Sequence, residues 1–176
     1  LSTAQIAALS TEQLNQFSTA DLRAITPTQV AGLTTAQIAS LSVPDEVSLL
    51  TTSQIVAFNA AQLAALGTGG VGALTTAQID ALTTAQIVAL STAQVAVLDS
   101  TDLSALSASQ IEVLSTAQLD TLTTAELAGL STVQIAAFTT AQMRSLAQAD
   151  LVALTTAQVS SLGTTQLAAL GTDQIS

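Results

Sequence analysis

Few side chains in this sequence could do chemistry. His, Cys, Lys, Tyr and Trp are absent, and Arg23 and Arg144 are the only basic residues. General acid–base, nucleophilic or metal work would therefore fall to carboxylates and unactivated hydroxyls. Two close acidic pairs stand out, Asp99 with Asp102 and Asp45 with Glu46. A calcium ion asks for about six or more oxygens, which neither pair offers, and both pairs fall where a helix is expected to begin. Capping is their expected role. No catalytic, cofactor-binding or metal-ligating residue is assigned, no cofactor is expected, and an enzyme is not expected.

The charge balance narrows the partners. A formal net charge of −10 with only two arginines leaves nothing to neutralise phosphates, which excludes nucleic acid and anionic membrane surfaces as partners. Ser, Thr and Gln interrupt every apolar stretch well before the ~20 residues needed to span a bilayer, so no membrane insertion is expected. The chain starts at Leu1 without a basic-then-apolar leader, and is expected to be a segment of a larger protein. Without Cys there is no disulfide evidence about the compartment.

What positions these residues is a repeat. The phrase Leu-Ser/Thr-Thr-Ala-Gln-Ile-x-Ala recurs every eight residues, as at 74–81 and 82–89, and the leading apolar position occurs 22 times from Leu1 to Leu170. The sixth position is likewise apolar throughout, from Ile6 to Ile175. The chain is expected to be a single array over 1–176. Its irregular repeats fall near 42–50, where one residue is inserted, and near 67–73, where Gly67, Gly69, Gly70 and Gly72 cluster. A kink or local loosening is expected at both.

An octad fits neither a long helix nor a strand. At about 100° per residue, eight residues rotate the Leu row by about 80° per repeat and leave no continuous apolar face. In a strand the two large apolar positions, five and then three residues apart, would point to opposite faces, and Ala is disfavoured there. A short helix per octad satisfies both constraints. Ser or Thr at the second position can cap the amide three residues on, and Gln, Asp or Glu at the fifth can reach back, as in Ser10 with Gln13 and Ser115 with Gln118. The leading Leu and the sixth-position Ile then form a hydrophobic staple, as in Leu74 with Ile79. Pro27 and Pro44 fall one residue after the inferred cap, where a missing amide hydrogen costs little.

Helices of about two turns do not persist alone in water, so neighbours must hold them. The expected fold is all-α, a solenoid or superhelix of about 22 very short capped helices, one per octad. The small fourth and eighth positions are expected to let helices approach closely. The seventh, which holds Asn15, Arg23, Asp80, Glu112, Asp120 and Arg144, is expected to face solvent. Phe17, Phe58 and Phe138 replace Leu at the leading position and read as core.

The phrases at 74–82 and 90–98, Leu-Thr-Thr-Ala-Gln-Ile-Asp-Ala-Leu and Leu-Ser-Thr-Ala-Gln-Val-Ala-Val-Leu, resemble the Thr-Ala-Gln octapeptide arrays of large secreted bacterial surface proteins, RTX-type and adhesin-like ones among them. The resemblance covers the whole chain. It implies an extracellular or cell-surface location and a structural role as an extended spacer or filament-forming scaffold, without catalytic residues to carry over. The Gly/Asp calcium nonapeptides of RTX proteins are absent. The alternative is an adhesive binding module, which a systematic preference along one side of the rod would favour. A third reading is ice or surface binding by a regular threonine array. Leu1 and Ile6 at one end and Leu170 and Ile175 at the other follow the internal consensus. Neither end carries a polar cap, so self-association, end-to-end or lateral, is expected.

Overall fold

A computed structural model describes residues 1–41 and 44–174, with backbone alone at 44 and 45. Among the described residues are 21 α-helices of four to six residues, from Thr3–Ala7 to Thr164–Ala169, then a 3-10 turn Thr172–Gln174, and no strand. The all-α array of single-octad helices is thus observed, with helices nearer one turn than two. Numbering the octads 1 to 22 by their leading residues, nearly every one starts at a capping box. In octad 11 (82–89) the Thr83 hydroxyl accepts from the Gln86 amide at 3.2 Å, and Gln86 Oε1 accepts from the Thr83 amide at 2.9 Å. In most octads the leading and cap residues are extended, as at Leu90 (φ −65°, ψ 138°) and Ser91 (φ −72°, ψ 160°), and these two residues turn the chain before the next helix; the leading Leu41 is helical instead (φ −79°, ψ −2°). Pro27 lies in the first helical turn behind the Thr26 cap, as its missing N–H requires.

Each helix packs against the helices three octads before and three after, so that three octads make one turn of the coil. The leading and sixth-position side chains point inward and merge into one continuous core running the length of the stack. Seventh positions such as Asp80, Glu112 and Asp120 are exposed. Eighth-position Ala57, Ala65 and Ala89 are half-buried against the core, as their size suggested. The fourth position is not a contact point: Ala36, Ala77 and Ala85 are exposed, and Val133 there is 66% exposed. Its small residues reflect helix propensity instead of close approach.

The two irregular octads are absorbed differently. The inserted residue in octad 6 (41–49) falls beside 42 and 43, outside the described residues, but the helix Pro44–Leu49 keeps its place between the helices of octads 3 and 9. In octad 9 (66–73) the glycines form the helix Gly67–Gly72. It follows Ala60–Ala65 almost without a break, because Leu66 is helical (φ −61°, ψ −25°) and Gly67 turns the chain with φ +61°, a conformation that suits glycine. Capping is lost there, and the helix is held by its neighbours alone.

Candidate functional site: the fifth-position ladder

The acidic pairs are built into helix starts. Asp99 is the N-cap of Ser100–Ala105 and accepts from the amides of Thr101 (2.8 Å) and Asp102 (2.9 Å). Asp102 occupies the fifth position of octad 13 and is buried, with Thr76 Oγ1 at 3.5 Å. Burial, and then the charge of Asp99, push the Asp102 carboxyl above its ordinary range. Glu46 is half-buried at the corresponding position of octad 6; the Asp45 side chain lies outside the described residues. Among the described residues no group of three or more Asp, Glu, His or Cys gathers as a metal would need.

What the structure does gather is glutamine. Read from sequence as half of a capping box, the fifth-position Gln also carries a second set of bonds. In octad 15 (114–121) Gln118 Oε1 accepts from the Ser115 amide at 2.8 Å. Its Nε2 donates to the carbonyls of Ile87 (3.0 Å) and Leu90 (2.8 Å), one turn earlier. The same pattern links Gln37 to Ile6 and Leu9, Gln142 to Ile111 and Leu114, and Gln174 to Met143 and Leu146. From Gln37 in octad 5 to Gln166 in octad 21 these carboxamides are buried, Gln174 is half-buried, and Gln5 and Gln13 in octads 1 and 2 are exposed. A primary amide fits this place because it offers an acceptor and two donors at once. It caps its own helix and pairs carbonyls that helix ends and extended linkers leave open.

Asp and Glu can cap but cannot donate when ionised. The array departs from Gln at Asp21, Glu46, Gly70, Asp102, Glu126 and Asp150. In a coil of three octads per turn these six lie in two runs, each stacked on consecutive turns: 21, 46 and 70 on one side, and 102, 126 and 150 on another. The 24-residue spacing of the second run is the sequence signal that could have disclosed the turn. At Asp21 the Ser18 hydroxyl, then the Ser18 amide, hold the carboxyl below its ordinary range. Glu12, in the first turn of its helix, is lowered by its own backbone amide and then by Ser10. Both arginines, although exposed, reach the next turn: Arg23 Nε donates to the Leu49 carbonyl (2.9 Å) and Arg144 Nε to that of Ala169 (3.3 Å). They supplement helix C-termini there.

Threonine divides into two populations. Second-position hydroxyls are taken up by capping, as at Thr75, Thr83 and Thr155. Third-position Thr68, Thr92, Thr116, Thr140 and Thr164 are all exposed, one per turn on a single side. Neither curated proteins nor solved structures yield a match to the chain. A protein-family model, the ALTTAQ repeat, matches residues 15–49, 44–76, 63–100, 95–129, 116–148 and 145–176.

Proposed function

We propose, from the premise that this chain belongs to the ALTTAQ repeat family, that it serves as an extended spacer or filament-forming scaffold within a secreted or cell-surface bacterial protein. The structural repeat is the established part, and one observation carries the step to a spacer. Every turn is covered by the next through the same Gln bonds and the same Leu/Ile core, so length is gained without any new kind of interface. The residues exposed at the seventh position suit a spacer as well. On each of the three sides they are mixed, for example Val56, Asp80, Ser104 and Val152 on one and Asn15, Val88 and Glu112 on another, which gives no side a single recognition chemistry.

The experiment is to measure rod length by electron microscopy for arrays of 176 residues and of two copies in tandem. Length should double at constant width. A particle that widens instead would overturn the spacer reading. Labelling of intact cells with an antibody to the array tests the location, and absence of surface signal would count against it. Self-association of the rods belongs to the same reading. The exposed threonine column from Thr68 to Thr164 favours a second one, binding to a flat ordered surface such as ice. Inhibition of ice recrystallisation, lost when Thr92, Thr116 and Thr140 are changed to Glu, would support it; no inhibition by the wild-type chain would dismiss it.

A further inference from the structure

Inside the array the ladder is interrupted on one side of the rod, once per turn. Seven of the ten leading carbonyls from Leu74 to Leu146 accept from a Gln of the next turn, as Leu82 does from Gln110 (2.6 Å) and Leu90 from Gln118 (2.8 Å). The other three, those of Leu74, Leu98 and Leu122, accept no hydrogen bond among the described residues, although all three leucines are buried. A buried carbonyl without a donor is costly. Since a fifth-position side chain meets the leading carbonyl three octads back, the residues that should supply these donors are Asp102, Glu126 and Asp150.

Each of the three is placed for it. Asp102 is buried and reaches the turn before, where it accepts from Thr76 Oγ1 at 3.5 Å. Glu126 Oε2 accepts from the Thr123 amide at 2.7 Å, as a Gln oxygen does, so its second atom is an oxygen where Gln has the donating nitrogen. Asp150 Oδ2 accepts likewise from the Ala147 amide at 3.1 Å. Ionised, each offers a carbonyl only lone pairs. The charged residues on the elements packed together here are all acidic. The helix Ser100–Ala105, capped by Asp99, packs on Thr76–Ala81, which carries Asp80, and on Thr124–Gly129, which carries Glu126. The latter packs on Gln148–Ala153, with Asp150, and this on the turn Thr172–Gln174, with Asp173; Ile175 beyond it lies outside the described residues.

We propose that this side of the array is an acid-operated latch, in which a proton taken from solvent by Asp102, Glu126 or Asp150 turns the carboxylate into a donor to the carbonyl of the turn before. Protonated, each carboxyl does what Gln does elsewhere, keeping one oxygen for its cap and giving its O–H to the ladder. Two costs of neutral pH vanish together, the unpaired carbonyl and the repulsion between stacked like charges. The burial and the Asp99 charge that raise Asp102 act in the same sense. A carboxyl that binds its proton more readily in the folded chain adds stability as pH falls. The stretch from Leu74 to Ala153 is therefore looser at neutral pH and tighter in acid, opposite to the trend set by Glu12 and Asp21.

The test is amide hydrogen exchange on the whole chain at pH 7 and pH 4, corrected for the intrinsic exchange rate. Amides of Ser100–Ala105 and Thr124–Gly129 should open about tenfold less often at pH 4, the factor that one recovered hydrogen bond is worth. The triple variant Asp102→Asn, Glu126→Gln, Asp150→Asn carries the isosteric donor at every pH, and its amides should open as rarely at pH 7 as those of the wild type at pH 4. A control, Asp80→Asn with Glu112→Gln and Asp120→Asn, removes three exposed charges and should keep the wild-type response. Glu126→Gln alone should lose part of the response, which keeps the test decisive if the triple variant folds poorly. Wild-type amides that open as often or more often at pH 4, a Glu126→Gln or triple variant that keeps the full response, or a control that loses it overturns the latch.

Discussion

At the scale of single residues, a side chain that satisfies one rule can be chosen for another. Gln, Glu and Asp are equivalent members of a capping box, and the sequence offers all three at the fifth position. The fold separates them, because only the amide also donates to the turn before it. Gln118→Glu keeps the cap and loses two buried donors while burying a charge. It should lower stability by about 2–4 kcal/mol, read from the urea midpoint, whereas Gln5→Glu in the exposed first turn should cost less than about 0.5 kcal/mol. Equal losses at the two sites would refute the ladder. Asp102 gives the converse test. Its folded pKa is raised, so its contribution to stability is present below the ordinary carboxyl range and is lost as pH rises through the raised value. Glu12 and Asp21 are lowered, so theirs is present at neutral pH and is lost as pH falls; both are exposed and solvent screens them. Asp102→Gln should therefore be more stable than wild type at neutral pH, with a smaller advantage near pH 4. An unchanged pH dependence would contradict the placement of this carboxyl.

Within the helices, sequence reasoning reached furthest. The cap, the reciprocal Gln, the staple and the proline at the first turn are interactions within one octad, so periodicity and side-chain chemistry define them without knowledge of neighbours. Two helices depart instructively. Ala147 and Gly163 stand at N-caps with no side chain to accept a bond, leaving only the reach-back from Asp150 (3.1 Å) and Gln166 (2.8 Å). Ala147→Ser should restore the missing half and add about 1 kcal/mol, measured as a rise in the thermal midpoint. No rise would mean that caps are redundant in a stacked array. The glycine octad keeps its helix but loses its cap, and the chain turns at Gly67. Its looseness shows in the bonds it receives: Gln94 reaches Leu63 at 2.8 Å but the second carbonyl, that of Gly67, only at 3.4 Å. Gly67→Ala would force an alanine to φ +61° and should cost about 1 kcal/mol or more.

For the whole molecule, the solenoid was legible but its three-octad turn was not, because that turn depends on contacts some 28 to 31 residues apart, beyond any single octad. The stacked acidic positions carried the signal in a spacing that a period of eight conceals. Helix should dominate the far-ultraviolet spectrum, and a chelator should leave it unchanged, because among the described residues no three Asp, Glu, His or Cys side chains gather to hold a metal; collapse of the signal in chelator would contradict that. Deleting 106–129, one full turn, should leave the remaining Gln and carbonyl partners in register and the protein folded, whereas deleting four residues from the same stretch should unfold it. The reach of the ladder has a mechanical consequence. Each turn is fastened only to the turns beside it, so tension applied to the two termini loads the end turns without first breaking those in the middle. Under force the rod should pay out one turn at a time, each release adding about 80 Å of contour for 24 residues at ~3.3–3.6 Å each, and should rewind when slackened. In the proposed role of a spacer, such stepwise release would let the rod lengthen under a pull while the turns not yet released keep their bonds.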